Sequence, residues 1–224
     1  MVQAVMQPFA HSVTGLLEAK SAKPRIEKKD KIKILFLAAN PKDTDRLRLD
    51  EEVRAIQEAL RQSEFRDVYD FRQEWAVRIS DLQEHLLRHQ PHIVHFSGHG
   101  SASNGIILED MEGFSRSISE RALGKLFAVL KDNIRVVVLN ACYSEKQAEA
   151  IAKSIDSVVG MSRAVSDSAA IQFSTAFYRA LGFGRDVRTA FELGRLQIDM
   201  EGLNEPDTPK LLTRNGKPEE LVFV

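Results

Sequence analysis

Two apolar runs without polar alternation constrain this chain most: Ile93-Val94-His95-Phe96 and Val136-Val137-Val138-Leu139. A strand with one wet face alternates apolar and polar residues. A run apolar at every position is buried on both faces, as in the centre of a parallel sheet covered by helices. Parallel neighbours need crossovers of a dozen or more residues, usually helical.

The remaining sequence supplies strands and crossovers in turn. Ile32–Leu37 reads as a buried strand ended by Asn40-Pro41. Leu47, Leu49, Val53, Ile56 and Leu60 follow at helical spacing. Val68–Phe71 is a weaker strand, flanked by charges and so suited to an edge. Ser80-Asp81 opens a helix carrying Leu82, Leu86 and Leu87. Gly105–Asp110, Glu112-Gly113 and Phe114 predict a β-hairpin. Ser119-Glu120 opens a helix through Leu130, and Lys146–Ile155 is helical. Val158–Met161 is another strand. Ser166-Asp167 begins a long helix to Leu181, Gly182-Phe183-Gly184 breaks it, and Arg185–Met200 forms the last helix. This order predicts an α/β fold with a mostly parallel central sheet and helices on both faces.

The 224 residues suit one α/β domain with a small appendage. Residues 1–30 form the expected appendage, an N-terminal arm with a possible short docking helix at Phe9, Val13, Leu16 and Leu17, followed by a lysine-rich linker. Residues 31–224 form the expected domain. A net charge of −1 gives no support for direct nucleic-acid binding. No apolar stretch reaches the length of a membrane helix. One cysteine permits no intrachain disulfide, so a cytoplasmic setting is expected. No cofactor motif is present, since no G-x-G-x-x-G follows the first strand. His85 and His89 have the i, i+4 spacing of metal ligands, but no carboxylate motif completes it, and no metal site is expected.

In such folds, sites lie beyond the carboxyl ends of the strands. His99, between two glycines, and Cys142, the lone cysteine, both occupy that edge. A thiolate attacks carbonyls, and an imidazole moves the protons. Alone, each residue has an ordinary explanation: a small core hydrophobe and a loop histidine. Together, at equivalent strand ends, they form the minimum equipment of a cysteine hydrolase. The backbone of Cys142 and Gly100 can supply donors to a developing oxyanion. His95, inside its strand, reads as a structural histidine facing a helix.

The segments His95-Phe96-Ser97-Gly98-His99-Gly100 and Leu139-Asn140-Ala141-Cys142-Tyr143-Ser144 resemble the CHAT domains of bacteria, caspase-like cysteine peptidases related to separase, metacaspases and gingipains. Ile34–Pro41, Val159-Gly160-Met161, Ala176–Gly182 and Ala190–Gly194 are also similar to that family, over roughly Lys31 to Thr213. The resemblance implies a caspase-like three-layer sandwich with the hairpin after the catalytic histidine. It implies His99 as general acid/base, Cys142 as nucleophile, and an oxyanion hole from the backbone of Gly100 and Cys142. It also implies that Asn140, two residues before the cysteine, lines the substrate pocket. Metacaspases carry an aspartate there, so their basic preference does not transfer through this position.

Three other residues are candidates for setting the pocket's charge. Asp167 would favour a basic substrate residue, with a helix N-cap as its alternative role. Arg163 would favour an acidic one, with a solvated loop residue as its alternative. Asp43, beyond the first strand, is a further contributor. The functional expectation is a regulated endopeptidase acting on a protein partner in bacterial signalling or defence, with a separate activator or sensor protein. The competing expectation is a catalytically silent caspase-like scaffold. The residues leave the oligomeric state open.

Overall fold

The computed structural model describes residues 31–103 and 105–224; the expected N-terminal arm lies outside them. The elements run β1 (Ile32–Ala39), α1 (Leu49–Arg61), β2 (Tyr69–Glu74), α2 (Asp81–His89), β3 (Ile93–Gly98), β4 (Gly100–Ser101), β5 (Gly105–Glu109), β6 (Ser115–Ser117), α3 (Glu120–Val129), β7 (Val136–Asn140), α4 (Glu145–Ala152), β8 (Ser157–Met161), α5 (Asp167–Gly182), α6 (Val187–Met200) and β9 (Pro209–Thr213). Six strands form one sheet in the order β2-β1-β3-β7-β8-β9. All neighbours are parallel except β8 and β9.

The uninterrupted apolar runs acquire their meaning here. Along β1, Ile34, Phe36 and Ala38 face one core with α1, α5 and α6, where Val53, Ile56, Phe173, Phe177, Tyr178 and Phe191 pack. Leu35, Leu37 and Ala39 face the opposite core with α2, α3 and α4, where Leu82, Leu86, Leu123, Phe127 and Ile151 pack. Val136 and Val138 join the first core, and Val137 and Leu139 the second. Successive side chains point to opposite faces, so a strand covered on both sides must be apolar throughout.

Three features depart from the sequence reading. Leu87 is 60% exposed and does not join the apolar face of α2, which rests on Leu82 and Leu86. The strand β9 was not expected: five residues beginning with a proline carry little periodic signal, although proline is tolerated as the first residue of an edge strand. The hairpin belongs to a small three-stranded sheet, β4-β5-β6. Asp110 Oδ1 accepts from the Glu112 and Phe114 amides at 3.0 and 2.8 Å, and Gly113 takes a φ of +81°, which closes the turn.

The first crossover runs from β1 to β2 on one side, and the chain then returns to place β3 on the other. The sheet's switch point is therefore at β1/β3. A crevice opens there beyond the strand ends.

Candidate active site

The register brings the two candidate catalytic residues together. Ser97 of β3 pairs with Asn140 of β7, so His99 and Cys142 each lie two residues beyond the same rung of neighbouring parallel strands. Both are half-buried and line one cavity of about 40 Å³, together with Leu47, Arg48, Glu52, Asn140, Val165 and Asp167.

Each side chain is held by the backbone. His99 Nε2 lies 2.7 Å from the Asp45 carbonyl, in the loop after β1. A carbonyl only accepts, so Nε2 carries the hydrogen and the neutral ring keeps its lone pair on Nδ1. The His99 carbonyl in turn accepts from the Ile107 amide at 3.0 Å. The hairpin thus steadies the histidine loop. It does not wall the cavity, since neither Ile107 nor Asp110 lines it.

Cys142 sits on a tight turn. Tyr143 adopts a φ of +56°, a left-handed conformation that costs a non-glycine residue energy and marks a position fixed by its surroundings. Ser144 fixes it from below, donating to the Leu139 carbonyl and accepting from the Met161 amide, both at 2.9 Å. The Cys142 sulfur receives the Val165 amide at 3.4 Å and lies 3.6 Å from the Val165 carbonyl. A Cβ on Gly100 would come within 1.9 Å of the Cys142 carbonyl oxygen, so only glycine lets these two turns touch.

Beneath the pair lies a buried polar cluster. Glu52, on α1, is 2% exposed. It accepts from Asn140 Nδ2 at 2.6 Å, Ser174 Oγ at 2.7 Å, His95 Nε2 at 3.1 Å and Ser97 Oγ. Burial pushes its carboxyl up, but the His95 charge and the hydrogen bonds of His95, Ser97 and Ser174 outweigh this and hold it below the usual value. His95 Nδ1 meets the Tyr178 hydroxyl at 3.1 Å, and burial together with the Glu52 charge pushes that hydroxyl's pKa well up. His95 therefore faces helices α1 and α5, as its place in the strand implied.

The pocket candidates separate. Asn140 lines the cavity, is almost fully buried, and has no hydrogen-bond partner for Oδ1. Asp167 also lines it, yet it is not the N-cap of its own helix; Ser166 is, accepting from the Ala169 amide at 3.2 Å. Asp167 Oδ2 instead accepts from the Arg48 amide at 3.1 Å, at the start of α1, with Arg48 Nε 3.6 Å away. Arg163 is outside the cavity lining, bonded to Thr208 Oγ1 at 2.9 Å, where it ties its loop to the approach to β9. Asp43 is outside as well: its two oxygens accept from the Ser115 amide and hydroxyl, both at 2.8 Å, which lowers its pKa and joins the β1 loop to the hairpin.

Glu52, Arg48 and Val165 were not singled out from sequence. Glu52 carried a signal: it sits at i+3 from Leu49, inside the apolar stripe of α1, where a charge needs a buried partner. Val165 acts through its amide, and Arg48 through both its amide and its guanidinium, contacts that leave no local sequence signature.

A mostly parallel sheet between two helical layers, with histidine and cysteine turns at adjacent strand ends, defines a caspase-like α/β domain. The chain belongs to the CHAT domain family, whose model matches residues 3–206. It is 27% identical over 158 residues to a "Probable protease" of Gillisia limnaea, covering 69% of this chain and 28% of that protein. It is 29% identical over 199 residues to a "Roc-COR-CHAT protease" of an unknown prokaryotic organism, covering 83% of this chain and 19% of that protein. The chain thus spans under a third of the length of these curated relatives. Among solved structures, a secreted C11 cysteine protease from Bacteroides thetaiotaomicron, in complex with an irreversible peptide inhibitor, superposes with a TM-score of 0.62 at 9% identity, over 83% of this chain and 67% of that one. Caspase-1 from Spodoptera frugiperda gives 0.52 at 10% identity, over 84% and 87%. Among the described residues, no helix is long and apolar enough to cross a membrane.

Proposed function

We propose that this domain is a cysteine endopeptidase that cleaves a protein partner, as a regulated cytoplasmic effector in bacterial signalling or defence. The observation that carries the reading is the common rung: His99 and Cys142 stand two residues past Ser97 and Asn140 and line one cavity. The Cys142 sulfur attacks the scissile carbonyl, and its proton passes to His99 Nδ1. The amides of Gly100 and Cys142 hold the oxyanion. As the C–N bond breaks, His99 returns the proton to the leaving amine. His99 then takes a proton from water, which hydrolyses the thioester and frees the thiol.

The lining supports a preference for a basic substrate side chain. Glu52 and Asp167 are acidic, and Asn140 Oδ1 is a buried acceptor lacking a donor, which a substrate N–H would complete. About 40 Å³ holds only about three water molecules, too little for lysine or arginine. This supports regulation: the Arg48–Asp167 contact must part before a substrate enters, and a separate activator or sensor protein is the expected cause.

Peptide probes bearing a thiol-reactive group and a basic or acidic lead residue test the reading, with and without cellular extract. Basic probes should label Cys142, with extract raising the yield. A chain that no probe labels under either condition is the scaffold instead.

A further inference from the structure

Away from the cavity, the fold builds a cluster that sequence spacing left incomplete. His85 and His89 lie one turn apart on α2, and Glu74, the last residue of edge strand β2, comes against them. His89 Nε2 is 2.7 Å from Glu74 Oε1, and His85 Nδ1 is 3.7 Å from the same oxygen. One ligand atom from each residue falls within 4.8 Å of the others. All three side chains are mostly buried, with exposures of 14, 18 and 28% for His85, His89 and Glu74. His85 Nδ1 is buried and makes no hydrogen bond. A buried ring nitrogen without a partner is costly, and natural structures usually satisfy such atoms.

We infer that Glu74, His85 and His89 form a binding site for a divalent transition metal, with Zn²⁺ the best match. Two imidazoles and one carboxylate are a zinc donor set, and a water completes the tetrahedron. Ligands at about 2.0–2.2 Å from a tetrahedral zinc stand a little over 3 Å apart, so the cluster needs only small adjustments. His89 opens slightly from Glu74, and His85 closes on it. The free Nδ1 of His85 gains the partner it lacks. Two ligands from a helix and one from an edge strand make the ion a clamp between α2 and β2. The ligand set suits copper and nickel too, by the usual affinity order.

The test uses the full chain carrying Cys142→Ala, which removes the thiol that could otherwise take zinc. Titration calorimetry with zinc chloride should show one ion per chain and a raised melting temperature. Cobalt chloride should give the visible bands of a four-coordinate ion. Adding His89→Ala or Glu74→Gln should weaken zinc by more than about 100-fold, beyond what losing an outer hydrogen-bond partner of a ligand costs. Glu74→Gln is nearly isosteric and keeps the test valid if His89→Ala disturbs the fold, which circular dichroism reports. Absence of saturable zinc binding, or binding that survives Glu74→Gln within tenfold, overturns the site.

Discussion

Asn140 donates its side-chain amide to Glu52 across 2.6 Å, and this links the strand that ends at the cysteine turn to α1, in the core shared with α5 and α6. Two residues later the chain reaches Cys142. The position of the sulfur therefore depends on a buried carboxylate contributed from 88 residues away in sequence.

Glu52→Ala should cost about 3–5 kcal/mol of folding stability in urea unfolding, because it leaves His95 Nε2 and Ser97 Oγ buried without their acceptor. A loss below 1 kcal/mol would mean that the cluster is filled by water without strain.

The same carboxylate sets an acid limit. Its folded pKa is depressed below the unfolded value of about 4.5, so its contribution is complete above that value. The contribution disappears as pH falls through the lower folded value. Urea midpoints measured downward from pH 6 should hold to about pH 4.5 and then drop. The Glu52→Ala chain should lose this part of the acid dependence.

Arg48→Ala should raise the rate of probe labelling at Cys142 by about two- to fivefold, since a partly exposed ion pair such as Arg48–Asp167 is worth at most about 1 kcal/mol. Time courses with a basic-lead probe check this. An unchanged or slower rate would show that the side-chain ion pair does not close the cavity, since the Arg48 amide keeps its bond to Asp167 Oδ2 in this variant.

Gly100→Ala should destabilise the domain by about 1–3 kcal/mol and slow labelling of Cys142, because the new methyl meets the cysteine carbonyl at 1.9 Å and must push the two turns apart. Melting and labelling, measured on the same preparation, separate the two effects.

Asp43→Ala should leave the residue preference unchanged, since Asp43 bonds Ser115 in the hairpin and does not line the cavity. A library of lead residues profiles this. A shift towards acidic leads would return Asp43 to the pocket.

The layered fold was legible because its signals are local. Unbroken runs such as Val136–Leu139 can only be strands covered on both faces, and stripes such as Leu49, Val53, Ile56 and Leu60 can only be half-buried helices. His99 and Cys142 were legible because strand ends in a parallel sheet share an edge, and their family resemblance lay in the same segments. The surroundings were harder. For Asp167 the sequence leaves a pocket charge and a cap of its own helix open, whereas it lines the cavity and accepts from Arg48 at the start of another helix, a contact spanning 119 residues. The ring of His99 is oriented by a main-chain oxygen, Asp45, which any residue type could provide. Glu74 meets His85 and His89 only because the fold brings the end of β2 against α2. Long-range contacts made by backbone atoms or single charges leave almost no mark on local sequence pattern.

The most direct measurement is the covalent adduct formed when the Cys142 thiolate displaces the carboxylate leaving group of a peptide probe. Intact mass spectrometry of the chain, treated with a basic-lead acyloxymethyl ketone peptide in the presence of cellular extract, should show one adduct per chain. Peptide mapping should place it on Cys142, and His99→Ala should reduce its rate by at least about 100-fold, the lower range for a lost general base. Equal labelling of the wild-type and His99→Ala chains would contradict the account, because the two residues would then share a cavity without sharing a proton.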